Sequence, residues 1–273
     1  MVNDIPIFDS LTHPTLDGNW IMPKYPACAG IRELLVEMHQ YHICGAFAVG
    51  MRGLGNYDED TFIQMIKSSQ NSNLFPIAFY VFVQKNREII YNDLLNIKNK
   101  GYVGIKLHPR MGGFTMEDEL LHYVIDIANE LGLVVLLCTY FYSNQIESSK
   151  NNINSLIEML TRIKSNSRVI LLHGGGVRLL EMMEVVRAFP NTLLDLSLTM
   201  CKYAGSSLDM DIQFLFTHFD RRVCVGTDYP EISHKQLRER FDYFASNTTR
   251  EKAENIAYKN IINFSRINNL LND

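Results

Sequence analysis

The chain has 273 residues, 47% of them hydrophobic and 21% charged, which is typical of a globular protein that buries a sizeable core. The formal net charge of −4 leaves no basic excess to neutralise phosphates and argues against nucleic-acid binding. The longest apolar stretches, such as residues 133–138, are far shorter than the roughly 20 residues of a membrane helix, and residues 1–7 have no signal-peptide pattern. We therefore predict a cytoplasmic protein that binds neither nucleic acid nor a membrane.

Eight short apolar runs alternate along the chain with polar loops and helical patterns, as in parallel strands joined by crossover helices. The runs cover residues 5–13, 43–50, 75–83, 102–108, 133–139, 168–174, 191–197 and 222–228. Some of them are apolar throughout, which is typical of strands buried on both faces. Eight is the strand number of a closed α/β barrel. We predict an α/β fold, a (β/α)8 TIM barrel that forms a single domain over residues 1–273.

The main rival fold is a doubly wound open sheet. That fold more often has a Gly-rich first turn, and residues 12–18 have none. The polar stretch 143–154 is the best candidate for a long active-site loop. The five cysteines form no CxxC pair, so we expect them to be reduced.

Polar side chains come at the carboxyl ends of most predicted strands. They are His13, Lys106, His108, Arg110, Cys138, Thr139, His173, Asp195 and Asp228. In a barrel, the loops at this end vary while the packed strands hold their bases rigid, and catalytic side chains gather there. This pattern predicts an active site at the carboxyl ends of the strands.

Several segments resemble one family in the right order along the chain. They are FDSLTHP at 8–14, GIKLHP at 104–109, LLHGGG at 171–176, VGTDYP at 225–230 and NIINF at 260–264. They are similar to the amidohydrolase superfamily, in the group that includes small-acid decarboxylases and lactonases. The resemblance implies a barrel enzyme in which an H-x-H pair on the first strand, one His each on the fifth and sixth strands and an Asp on the eighth bind a divalent metal that activates water.

This sequence keeps only part of that pattern. Asp228, His173 and His13 match family positions, whereas Leu11 stands in place of the first His and Cys138 in place of the fifth-strand His. The resemblance implies that His13, Cys138, His173 and Asp228 can still hold one zinc ion, with the thiolate as a soft fourth ligand. Because Leu11 removes a ligand outright, we favour a metal-free site.

Structural interpretations compete with these functional ones. Asp228 can cap the following helix, and Cys138 can be an inert buried thiol. The glycines at 174–176 can bind an anion through backbone N–H groups or serve close packing. Trp20 and the aromatic run 140–142 can line a substrate or merely close the mouth of the barrel. We expect the remaining histidines at the surface, namely His39, His42, His122, His218 and His234.

The resemblance leads to a hydrolase that cleaves the C–N or C–O bond of an amide or lactone in a small anionic substrate. Asp228 would deprotonate a water molecule while His173 and His13 polarise the scissile carbonyl. Lys106, His108, Arg110 and Tyr140 would bind the substrate. One alternative is a decarboxylase on the same barrel. Another is a barrel that has lost catalysis and acts as a binding or assembly module, and a homo-oligomer is expected from base rates alone.

Overall fold

The computed structural model describes residues 4–20, 29–51, 57–69, 73–141 and 150–267. Most of the predicted loop at 143–154 lies outside these residues, as do Tyr142 and Cys28. The chain alternates strands and helices. The strands are β1 (Ile7–Thr12), β2 (Ile43–Gly50), β3 (Leu74–Phe79), β4 (Gly104–Leu107), β5 (Val134–Cys138), β6 (Val169–Leu172), β7 (Thr192–Asp195) and β8 (Val223–Cys224).

The strands form one eight-stranded sheet in the order β1-β2-β3-β4-β5-β6-β7-β8. The pairing is parallel, with Gly104 opposite Val134 and Cys138 opposite Leu172 in register. The first strand also meets the segment that follows the last one, because the N–H of Ser10 donates to the carbonyl oxygen of Val225 at 3.1 Å. The fold is therefore a (β/α)8 barrel, as the strand count predicts.

Helices follow the strands. They are α1 (Ile31–Gln40), α2 (Glu59–Ser68), α3 (Arg87–Lys100), α4 (Pro109–Gly112), α5 (Leu121–Glu130), α6 (Ile153–Arg162), α7 (Leu179–Ala188), α8 (Thr199–Lys202), α9 (Leu208–His218), α10 (His234–Ala245), α11 (Arg250–Glu254) and α12 (Asn260–Ser265). Their apolar residues recur at helical spacing and are buried, as Ile31, Leu34 and Met38 are in α1. Within the described residues, no helix is long and apolar enough to cross a membrane.

The chain divides into two compact units, whose boundaries fall inside β3 and β7. The first unit comprises residues 1–76 and 195–273, and the second comprises residues 77–194. In the first unit, Phe8 packs edge-on against Phe47 with ring centroids 5.1 Å apart and stacks on Phe75 at 5.7 Å. In the second, Phe82 packs against Phe114 at 4.7 Å. That residues 1–273 form one domain stays a prediction.

Candidate active site

The predicted site residues lie at or just beyond the carboxyl ends of their strands. His13, His108 and His173 each directly follow the last residue of β1, β4 and β6, and Cys138 is the last residue of β5. The strand fixes the backbone before each of them, so the position of each side chain depends little on loop motion. His13 and Asp228 belong to the first unit. Lys106, His108, Arg110, Cys138, Tyr140 and His173 belong to the second.

His13 and Asp228 form a close pair. Nδ1 of His13 lies 3.1 Å from the carbonyl oxygen of Val49, and because a carbonyl only accepts, this nitrogen is the one that carries a proton. Nε2 of His13 faces Oδ1 of Asp228 at 3.3 Å. The two side chains are only 4% and 16% exposed, so solvent screens their interaction weakly. The pair can hold a proton and exchange it with a bound molecule.

Asp228 has a strained backbone that its neighbours fix. Its φ of 59° lies in the left-handed region, which Asp and Asn tolerate better than most residues. Its N–H donates to the carbonyl oxygen of Leu11 at 2.9 Å, and its own carbonyl accepts from the N–H of Glu231 at 3.0 Å. The N-cap of α10 is Ser233, whose side chain accepts from the N–H of Gln236. The interpretation of Asp228 as the cap of that helix is therefore wrong.

Cys138 lies in the second unit beside two imidazoles. Burial by itself raises the pKa of its thiol, but charge and hydrogen-bond interactions with His108 and His173 outweigh burial and lower the pKa well below the ordinary value of 9.0. Burial instead raises the pKa of Cys44 to about 11 and that of Cys201 to about 12. The buried thiol of Cys138 is therefore closer to its thiolate form than those of Cys44 and Cys201, and whether it is reactive or inert stays a prediction.

His108, Arg110 and Tyr140 form a second group near that thiol. His108 caps α4, with its Nδ1 accepting from the N–H of Met111 at 3.3 Å, and its Nε2 lies 3.5 Å from the guanidinium of Arg110. The guanidinium of Arg110 donates to the carbonyl oxygen of Tyr140 at 3.0 Å and lies 5.6 Å from the centroid of that ring. A guanidinium held in this way suits a carboxylate, which it can bind with two parallel hydrogen bonds.

Two other residues singled out by the sequence, Lys106 and Gly175, also lie in the second unit. The side chain of Lys106, in β4, is 2% exposed. Gly175 has a φ of +69°, and a Cβ at this position would lie 2.5 Å from Cγ of Met182. Its N–H donates to Oγ1 of Thr139 at 3.3 Å. At Gly175, the packing interpretation is therefore the better one.

A family model described as amidohydrolase matches residues 82–264, more than half of the chain. The chain belongs to the amidohydrolase family. It is therefore an enzyme of the amidohydrolase type. The match includes the segments GIKLHP, LLHGGG and VGTDYP but begins after β1, so Leu11 and His13 fall outside it. A search among curated proteins found no match.

Solved structures share the fold at low sequence identity. An uncharacterised TIM-barrel protein from Bordetella bronchiseptica is 17% identical, with a TM-score of 0.77 over 95% of this chain and 98% of that one. A probable 2-pyrone-4,6-dicarboxylic acid hydrolase from Acinetobacter baumannii is 15% identical, with a TM-score of 0.67 over 95% and 99%. The 5-carboxyvanillate decarboxylase LigW from Sphingomonas paucimobilis is 11% identical, with a TM-score of 0.66 over 96% and 99%.

The residues present do not fit the divalent metal centre that the resemblance implies. Leu11, where the first His belongs, is a fully buried hydrocarbon side chain with no donor atom. Cys138, at the fifth-strand His position, interacts with His108 and His173. Across the described parts of the chain, no group of three or more His, Cys, Asp or Glu side chains is arranged to hold a metal ion. The chemistry proposed for this chain therefore uses no metal ion.

Restoring the first histidine tests this interpretation of β1. We expect Leu11→His to bind zinc more tightly than the wild type, because an H-x-H pair beside Asp228 adds a nitrogen ligand to the first unit. The imidazole must replace a fully buried Leu, so we expect a stability cost of about 1 to 3 kcal/mol. Zinc titration calorimetry on both proteins measures the change. Tight binding by the wild type would show that other residues already complete a metal site.

A buried network in the first unit was missed by sequence reasoning. His234 was expected at the surface, but its side chain is 0% exposed and its Nε2 lies 2.9 Å from Oδ2 of Asp9. Asp9 is also fully buried, within β1, and accepts from the hydroxyl of Thr227 at 2.6 Å. An acidic side chain inside a buried strand requires hydrogen-bond partners. The position of Asp9 within the first predicted strand therefore already indicated that such partners exist. Nothing in the polar start of α10 indicated that His234 was one of them.

Proposed function

We propose that the chain hydrolyses the C–N bond of an amide or the C–O bond of a lactone in a small anionic substrate, with Asp228 activating the water. The observation that supports this most directly is the 3.3 Å separation between Nε2 of His13 and Oδ1 of Asp228. A largely buried carboxylate next to an imidazole can act as a general base, while the imidazole supplies a proton or a hydrogen bond.

Asp228 carries the proton transfer of the proposed reaction and His13 the stabilisation of charge. The Asp228 carboxylate takes a proton from water as the water oxygen attacks the carbonyl carbon of the substrate. His13 acts here as the imidazolium, with both ring nitrogens protonated, and its Nε2–H stabilises the negative charge that develops on the carbonyl oxygen. The tetrahedral intermediate then expels the amine or alkoxide, which receives the proton held by Asp228. Nδ1 of His13 donates to Val49, so the role falls to Nε2, the nitrogen that faces Asp228.

We further propose that this chemistry is metal-independent, since Leu11 places hydrocarbon where the family's first ligand belongs. Turnover that persists in a chelator would support this proposal. Turnover that is lost in chelator and restored by zinc would overturn it, and would favour the ligand set His13, Cys138, His173 and Asp228. The role of His173 in polarising the scissile carbonyl also stays a proposal.

We propose Arg110 as a group that binds the substrate anion, together with Lys106, His108 and Tyr140. Removing a charge-assisted hydrogen bond costs about 1.5 to 3 kcal/mol, so Arg110→Ala should raise KM for an anionic substrate about tenfold or more. We expect kcat to change less, because pairing with an unreactive carboxylate is largely the same in the ground and transition states. Steady-state kinetics on a charged substrate and its neutral ester measure both effects.

Arg87→Ala is the matched control for Arg110→Ala. Arg87 also lies over a tyrosine ring, 4.9 Å from the centroid of Tyr123, and no binding role is proposed for it. We expect this variant to keep the wild-type KM. An equal change in KM for the charged and neutral substrates in Arg110→Ala would contradict the anion-binding role.

The experiment that tests the reaction is a turnover screen of purified protein against lactones, amides and small carboxylic acids. Two probes come from the structural neighbours, namely 2-pyrone-4,6-dicarboxylate, which contains a lactone, and 5-carboxyvanillate, which can lose carbon dioxide. Ring opening or amide cleavage supports the proposal. Release of carbon dioxide instead would favour the decarboxylase alternative, and binding without turnover would favour the binding module.

A further inference from the structure

Asp9 presents a carboxylate whose hydrogen-bonding capacity is filled by buried donors. Its Oδ1 accepts from the N–H groups of Leu11 at 3.1 Å and Thr227 at 2.9 Å. Its Oδ2 accepts from the hydroxyl of Thr227 at 2.6 Å and from Nε2 of His234 at 2.9 Å. A carboxylate has about four such positions. Asp9 therefore joins β1 to the segment after β8 and to the first residue of α10.

His234 lies between two carboxylates. Besides Asp9, Oε2 of Glu37 accepts from the backbone N–H of His234 at 2.9 Å and lies 3.4 Å from its Nδ1, within ion-pair distance. Burial alone lowers the pKa of His234, but the hydrogen bonds and charges of Asp9 and Glu37 outweigh it and raise the pKa above the ordinary 6.5. The ring also stacks on Tyr229 with centroids 5.8 Å apart. The two carboxylates therefore favour the protonated form of His234, whose Nε2 holds Asp9.

These contacts fix the residues on both sides of Asp228. Thr227 is bound to Asp9 through its N–H and its hydroxyl, and the same hydroxyl accepts from the N–H of Tyr229 at 2.9 Å. Asp228 itself has a φ of 59°. A non-glycine residue in such a conformation persists only where its surroundings over-determine it. The Asp9 network supplies that restraint.

We propose that Asp9 and His234 form a positioning pair, which holds residues 227–229 so that the Asp228 carboxylate stays beside His13. The role of Asp228 as a base rests on the proposed function. The geometry of the pair does not depend on that function. Neither Asp9 nor His234 would touch the substrate. Their effect is transmitted through Thr227 to the backbone of the residue that does.

Trp20 offers a spectroscopic reporter of this geometry. It is the only tryptophan in the sequence. Its Nε1 donates to Oε1 of Glu231 at 2.9 Å, and its ring stacks on that of His13 with centroids 6.0 Å apart. Glu231 in turn donates its N–H to the carbonyl oxygen of Asp228. Displacement of the segment after β8 should therefore alter the environment of the indole and its fluorescence.

The test compares His234→Gln with the control His218→Gln, which changes an exposed histidine of α9. We expect the Trp20 emission of folded His234→Gln to shift to longer wavelength and its quenching by acrylamide to increase, while the control matches the wild type. On any substrate found by the screen, kcat should fall more than KM rises. Wild-type Trp20 emission and quenching in folded His234→Gln would overturn the proposal.

A second pair of variants decides the matter if His234→Gln does not fold. Thr227→Val removes the hydroxyl that binds Asp9 and keeps the shape of the side chain, whereas Thr227→Ser keeps the hydroxyl. We expect the fluorescence change in Thr227→Val and its rescue in Thr227→Ser. Unchanged fluorescence in both would overturn the proposal. Failure of the proposed function appears differently, as full turnover in Asp228→Asn, and leaves the fluorescence result intact.

Discussion

Asp228→Asn should lower kcat by about a hundredfold or more, the usual contribution of a general base. The amide has the volume of the carboxylate but cannot accept the proton of the attacking water. The fold should survive, because Asn also tolerates the left-handed φ of 59° at this position. The backbone bonds to Leu11 and Glu231 do not involve the side chain, and the cap of α10 is Ser233.

Initial rates and thermal melting of the purified variant measure both parts of this expectation. Asp211→Asn, in the first turn of α9, is the matched control and should keep the wild-type rate. Asp228→Ala would be a poorer test, because Ala at this φ adds backbone strain to the loss of the base. A wild-type rate in Asp228→Asn would show that another group activates the water, or that the reaction is not hydrolysis by this route.

The fold could be predicted from the sequence because each strand appears as a short apolar run of neighbouring residues. The predicted run at 133–139 contains β5 (Val134–Cys138) and the run at 168–174 contains β6 (Val169–Leu172). The predicted runs extend too far at their carboxyl ends, since His108 and His173 continue the run by composition but lie beyond the last paired residue. Two short helices, α4 and α8, were not predicted, because four residues show no helical period.

The candidate site could be predicted only in part, because its contacts are not local in sequence. The strand-end positions of His13, Cys138 and Asp228 follow from the run pattern, but their contacts depend on register and on chain segments far apart in sequence. His13 and Asp228 are 215 positions apart, and their pairing depends on the backbone bond between Asp228 and Leu11. Similarly, His234 follows Ser233 at a polar helix start that predicts exposure, and its partner Asp9 lies 225 positions away.

His234→Leu should destabilise the chain by about 3 to 5 kcal/mol, the usual cost of breaking a buried ion pair by removing one partner. Leu fills the space but donates no hydrogen bond, so the fully buried carboxylate of Asp9 loses the Nε2 donor of His234 and the charge of its protonated form. Urea denaturation measures the free energy of unfolding. His218→Leu replaces an exposed histidine and should change the free energy by no more than about 0.5 kcal/mol.

The pH dependence of this loss identifies its cause. The pKa of His234 is raised above its ordinary 6.5 in the folded chain, so its ionic contribution is fully present below 6.5 and is lost as the pH rises through the folded-state pKa. Burial raises the pKa of Glu37, but the interactions with His234 outweigh burial and lower this pKa below 4.5. The contribution of Glu37 to stability is therefore present above pH 4.5 and is lost as the pH falls through its folded-state pKa. The stability difference between wild type and His234→Leu should therefore be largest between these two ordinary values and shrink at higher pH. A difference that stays constant as the pH rises would mean that His234 contributes by packing and neutral hydrogen bonds, and that Asp9 is not neutralised by a buried cation.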